Sequence, residues 1–199
     1  QLTDRLYISD PELRVSQEML LGIGGLRALQ RLGYKPSIFH MNEGHASLLV
    51  LELLREARTV DAWPFDLVRE RCVFTTHTPV PAGIDTFPTA LVTQYLTSYC
   101  NLLGINMQRL LELGRINPAD TNEPFSMAVL ALRLSYLSNG VSQLHGEVSR
   151  KMFSAVYPGV PVNEVPITSI TNGVHVRSWL SSEVAHLFAR PQFGIVALI

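Results

Sequence analysis

An excess of charge of either sign is missing. Sixteen Lys and Arg face seventeen Asp and Glu, and a net charge of −1 gives no case for nucleic acid or an anionic membrane surface. No apolar run reaches the ~20 residues that a membrane-spanning helix needs. No basic segment leading into an apolar one opens the chain, as a secretory signal would. Cysteine is scarce: Cys72 and Cys100 stand far apart and form no metal spacing, which fits free thiols in a reducing cytosol. The expected setting is therefore cytoplasmic. The H-E-x-x-H arrangement is absent, because Glu43 lies between His40 and His45, and zinc would need a distant third ligand such as His77. Gly22-Ile23-Gly24-Gly25 is not G-x-G-x-x-G, follows a helical pattern and lacks the P-loop lysine. There is no G-x-S-x-G for a nucleophilic triad.

What is present is a globular composition. Of the 199 residues 47% are hydrophobic and 17% charged, enough for one domain with a sizeable core or for part of a larger one. The chain opens without an initiator Met, and residues 190–199 are apolar and uncapped. The expectation is a piece of a longer protein, with an apolar face exposed where neighbours would pack and poor solubility as a result.

Hydrophobic periodicity alternates strand and helix. Asp10-Pro11 reads as an N-cap and first helical residue. The helix that follows is weakened by Gly22, Gly24 and Gly25, and the glycine pair suits either a kink or a close backbone approach. Ile38-Phe39 reads as the end of a short strand, His40 to His45 as its polar turn, and Leu48, Leu51 and Leu54 as one face of the next helix. Cys72–Thr76 is a second strand with a stiff exit, His77 to Gly83. Helices are expected over 88–102 and 106–113. Residues 126–135 suit a helix or a strand buried on both faces, and the exit at Asn139-Gly140 tips the reading towards a strand. Residues 167–170 form the last strand, and Asn172 lies on its exit. The fold expected is α/β, a Rossmann-like parallel sheet with flanking helices. His45, His77, Asn139 and Asn172 would then stand along one edge of the sheet, where open α/β sheets bind ligands. Neutral donors and acceptors on fixed backbone suit sugar hydroxyls. Each of these residues has an ordinary alternative: a core or capping histidine for His45, turn residues for the others.

Five segments, in order, resemble the α-glucan (glycogen, starch and maltodextrin) phosphorylase family, especially its short bacterial and archaeal branch. They are Leu6-Tyr7-Ile8-Ser9-Asp10 with Glu12 to Glu18, His40-Met41-Asn42-Glu43-Gly44-His45-Ala46, Thr75 to Gly83, Ser138 to His145, and Ile170-Thr171-Asn172-Gly173-Val174-His175. The resemblance implies the later part of the N-terminal lobe of a two-lobed GT-B glycosyltransferase over residues 1–189, with 190–199 a divergent tail. It implies reversible phosphorolysis of α-1,4-glucans or maltodextrin to α-glucose 1-phosphate, with phosphate as co-substrate. Pyridoxal phosphate would be the cofactor, bound mainly by a C-terminal lobe outside this chain. By the same resemblance His45 is catalytic, hydrogen-bonding the reacting glucose. Asn172 meets its 6-hydroxyl, Asn139 and Val141 form the wall beside it, and Asp10 belongs to a gate loop. His77 falls in a family motif without an assigned role. The chain alone is expected to be inactive. Alternatives are a sugar-nucleotide-dependent glucan synthase of the same fold, against which stands the lack of Lys-x-Gly-Gly, and a non-catalytic glucan-binding module.

Overall fold

Asp10 sets the start of the first helix. In the computed structural model, which describes residues 2–6, 8–59 and 63–188, its carboxylate accepts from the N–H groups of Glu12 and Leu13 at 2.9 and 3.0 Å. Pro11 follows as the first helical residue, where its missing N–H costs nothing. This helix, α1 (Pro11–Met19), passes through a π turn at Leu20–Gly24 into α2 (Gly25–Arg31). The close approach falls at Gly22 rather than at the pair Gly24-Gly25. A Cβ on Gly22 would lie 2.7 Å from the Leu49 backbone nitrogen, whereas Gly25 has open space around it.

Strand β1 is Phe39–Asn42, later than the apolar run suggested. Ile38 is exposed, and His40 and Asn42 belong to the strand rather than to a turn. A short 3-10 turn at Gly44–Ala46 leads to α3 (Leu49–Ala57), then α4 (Phe65–Arg69) and β2 (Cys72–Thr76). Next come β3 (Thr86–Phe87), α5 (Thr89–Leu103), α6 (Met107–Leu113) and β4 (Phe125–Ser126). The β3–β4 antiparallel pair has too few residues to show a period and leaves no local signal.

Residues 127–133 form a helix, α7 (Met127–Arg133), which corrects the strand expected over 126–135. Ser126 caps it by accepting from the Val129 N–H, and Met127 to Leu132 are all buried. An element buried on every side shows no period, so composition decides, and Met, Ala and Leu favour a helix. The third strand of the sheet is β5 (Leu137–Gly140), which places Asn139 within a strand, not on its exit. Then follow α8 (Gln143–Met152), capped by Ser142, and β6 (Ile167–Ser169). Two short helices, α9 (Val176–Trp179) and α10 (Ser182–Phe188), end the described chain; the expected tail at 190–199 lies outside the described residues.

The four long strands form one parallel sheet in the order β1-β2-β5-β6. Thus the expected α/β class, parallel sheet and flanking helices are all present. Phe39, Met41, Cys72, Phe74 and Ile167 point to the covered face and join a core built with α3, α5, α6 and α7, and Ser138 is buried on the same face. The opposite face carries His40, Asn42, Leu137 and Thr168, all exposed. Both cysteines are free and buried, and burial pushes the thiols up, to about 12 at Cys72 and about 11 at Cys100. Among the described residues no helix is long and apolar enough to cross a membrane.

Candidate functional site

Parallel pairing brings the carboxyl ends of all four strands to one edge, as the alternation of elements required. The exits of β1 and β2 meet there around a cleft of about 730 Å³, lined by Ile8, Ser9, Arg14, Asn42, Glu43, His45, His77, Thr78, Gly83 and Asp85. This is the position where open parallel sheets place ligands.

Glu43 builds the floor of the cleft. Its φ of 71° and ψ of 165° fall in a region that is essentially reserved for glycine and costs about 1–3 kcal/mol for other residues. Among the described residues no other non-glycine has a positive φ. The neighbouring Gly44 is needed for space instead, because a Cβ there would lie 3.0 Å from the Ala128 nitrogen at the start of α7. One Glu43 carboxylate oxygen accepts from the Gly44 N–H at 3.0 Å. The other accepts from the N–H of His77 at 2.7 Å and from the N–H and hydroxyl of Thr78 at 3.1 and 3.0 Å.

His45 sits half-buried in the 3-10 turn after Glu43. Burial lowers its pKa, with Arg14 acting in the same direction, and this outweighs the pull of Glu43 and Asp85. The imidazole is therefore neutral at pH 7 and offers one donor and one acceptor. Arg14 stands behind it. Its guanidinium meets Asp85 at 2.7 Å and Glu18 at 3.0 Å. Glu18 has a side chain only 1% exposed. Burial, reinforced by Asp85, pushes its carboxyl up to about 9 against the opposing effect of Arg14. Arg14 is shared between the two acids with the shorter contact to Asp85, and burial favours the neutral form of Glu18.

The other expected residues are placed differently. Asp10 caps α1, while its neighbours Ile8 and Ser9 line the cleft; Tyr7 of that motif lies outside the described residues. Asn139 is buried in the sheet, where its side-chain oxygen accepts from the Thr75 hydroxyl at 2.9 Å and its NH2 donates to the Gly140 carbonyl. The same hydroxyl lies 2.7 Å from His40 Nε2, so a polar chain crosses three strands. Val141 and Asn172 stand at the exits of β5 and β6, joined by a backbone bond of 3.0 Å from the Asn172 N–H to the Val141 carbonyl. Neither lines the cleft, and Asn172 is exposed. His145 holds the β5 exit by accepting from the Val141 N–H at its Nδ1. Of the residues expected along this edge, His45 and His77 reach the cleft itself.

Reading the sequence missed Glu43 as an anchor and the Arg14–Asp85 contact. The i, i+4 spacing of Arg14 and Glu18 was a visible signal for a helical pair. Nothing in the sequence signals Asp85. Among the described residues no group of three or more His, Cys, Asp or Glu side chains is placed to hold a metal ion.

Known proteins resemble this chain over most of its length. A family model described as carbohydrate phosphorylase matches residues 25–190. The chain is 45% identical to a glycogen phosphorylase of Mycobacterium tuberculosis, over 92% of this chain and 22% of that protein. It is 39% identical to a maltodextrin phosphorylase of Thermococcus litoralis, over 95% of this chain and 22% of that protein. A glycogen phosphorylase of Aquifex aeolicus is 35% identical over 94% of this chain. The chain thus spans about a quarter or less of the length of these relatives. By the reach of the family match and by these identities, the chain belongs to the carbohydrate phosphorylase family.

Proposed function

We propose that this chain supplies one wall of the active cleft in an enzyme that phosphorolyses α-1,4-glucans or maltodextrin to α-glucose 1-phosphate. In this reading residues 1–189 are the later part of the N-terminal lobe of a two-lobed GT-B glycosyltransferase working in the cytoplasm. The cleft at the β1 and β2 exits carries the proposal. Its inner surface offers two imidazoles, an amide and backbone groups on fixed strands, which suit the alternating donors and acceptors of a sugar. His45, kept neutral by burial, is the proposed catalytic contact to the reacting glucose. His77 opens into the same cleft and is proposed to share that work. Asn172 and Val141 form a second strip along the same edge and would meet the sugar from the side. Asn139 orients that strip from within the sheet, and Asp10 holds the segment carrying Ile8 and Ser9.

The described residues of this chain do not fit pyridoxal phosphate. Lys35 and Lys151 are its lysines; both are exposed and neither lines the cleft. The cofactor that the family resemblance implies would therefore be held by another part of the complete polypeptide, and this chain alone is inactive, because half a cleft cannot align phosphate with a glycosidic bond. The test is phosphate-dependent release of glucose 1-phosphate from maltodextrin, with added pyridoxal phosphate. The complete polypeptide should be active and this chain silent. In the complete polypeptide His45→Ala and His77→Ala should each lower kcat/KM by about 100-fold. Full activity in both variants would remove the cleft from the chemistry.

A further inference from the structure

We propose that Glu43 is a positioning residue: its carboxylate ties the β1 exit to the β2 exit and so sets the distance and angle between His45 and His77 in the cleft. The inference rests on the phosphorylase reading of that cleft. Four contacts define the tie, and the Thr76 hydroxyl adds a longer one of 3.5 Å to the oxygen that His77 and Thr78 share. The Gly44 N–H reaches one carboxylate oxygen at 3.0 Å, and the His77 N–H, the Thr78 N–H and the Thr78 hydroxyl reach the other at 2.7, 3.1 and 3.0 Å. The Glu43 N–H itself donates to the Thr75 carbonyl at 2.8 Å. Backbone and side chain of one residue thus both engage the neighbouring strand and its exit.

The backbone strain argues that the side chain is needed. Glycine would adopt a φ of 71° and ψ of 165° freely, yet the position carries a long acidic side chain. Strain of this kind persists where the surroundings over-determine it, and it gathers at functional sites. The chemistry of the tie is also specific. Every group facing the carboxylate is a donor, and an ionised carboxylate only accepts. A glutamine would turn an NH2 towards at least one of those donors. An aspartate lacks the methylene needed to span both exits. What the tie holds is the backbone of His77 and Thr78, which leaves the His77 side chain free to face the cleft.

The experiment compares Glu43→Gln, Glu43→Asp and Glu43→Gly in the complete polypeptide carrying this chain. Glu43→Gly removes the strain and the tie together, whereas Glu43→Gln keeps the strained backbone and alters only the carboxylate, so the pair separates the two. Two quantities are read: phosphorolysis kinetics, and hydrogen exchange at the His77 and Thr78 amides. All three variants should exchange those amides at least about tenfold faster. All three should lose about 10- to 100-fold in kcat, with KM for maltodextrin changing less than about threefold, because misplaced groups are felt where charge develops more than in ground-state binding. Faster exchange with unchanged kcat would make the tie merely structural and overturn the proposal. Unchanged exchange would overturn it as well, since the carboxylate would then not be holding the β2 exit. If the wild-type polypeptide releases no glucose 1-phosphate, the phosphorylase reading fails, and the exchange rates alone decide whether the tie exists.

Discussion

Glu18 and Glu52 are both buried glutamates, their side chains 1% and 0% exposed, and their carboxyls are shifted in opposite directions. Burial pushes both carboxyls upward. At Glu52, hydrogen bonds from Arg27, Tyr99 and Arg55 outweigh it and hold the carboxyl below its usual range. Arg27 and Arg55 reach one oxygen at 2.9 and 2.8 Å, and Tyr99 donates to the other. At Glu18, the one guanidinium within reach, Arg14, is shared with Asp85, which adds a second negative charge. The difference teaches that depth alone does not decide ionisation. The number of cations that reach the acid does: two guanidiniums at Glu52, Arg55 only distantly shared with Glu56 at 3.8 Å, against one closely shared guanidinium at Glu18.

The comparison breaks most sharply if Glu52 is made to resemble Glu18. Arg27→Met with Arg55→Met leaves a buried acid with Tyr99 alone, and urea unfolding at pH 7 should show a loss of about 3–5 kcal/mol. The Glu52 carboxyl should then titrate above the usual range. Next in size is the pH dependence of Glu18. Between 4.5 and about 9 the folded chain keeps a proton there that the unfolded chain releases, so this group's contribution to stability falls as pH rises. Glu18→Gln should remove that slope and gain about 2–3 kcal/mol on wild type between pH 6 and pH 8; parallel profiles would show that Glu18 is ionised. Asp85→Asn frees Arg14 for Glu18 and should lower the Glu18 carboxyl by about one unit, read by NMR titration. The smallest effect is at the cap of the helix that carries Arg14 and Glu18: Asp10→Ala should cost about 1 kcal/mol in thermal unfolding.

Legibility followed locality. The Asp10-Pro11 start, the strand Cys72–Thr76 and the helix after Ser142 were readable because each is fixed by neighbours in sequence. The third strand was misplaced for a physical reason. Leu137-Ser138-Asn139-Gly140 has the composition of a turn, and it is a strand because Thr75 and Thr168 on either side satisfy its polar groups. The apolar stretch before it was too uniformly buried to show any period. In the site, His45 was visible as a polar residue between strand and helix. The Arg14–Asp85 contact spans 71 residues and leaves no local trace. Glu43 was seen only as one carboxylate in a turn, since all its donors but the Gly44 N–H come from 33 to 35 residues away.

The π turn between α1 and α2 has a consequence for how this chain tolerates change in length. Each residue of a helix turns it by about 100°. The extra residue within Leu20–Gly24 therefore sets the phase between the face that brings Arg14 to Asp85 and the face that brings Arg27 to Glu52. Deleting one residue from that turn would swing Arg14 about 100° away from the cleft while Arg27 kept its acid. Along these five positions it is the count that is constrained more than the identity. Gly22 is the exception, pressed against the backbone of Leu48 and Leu49.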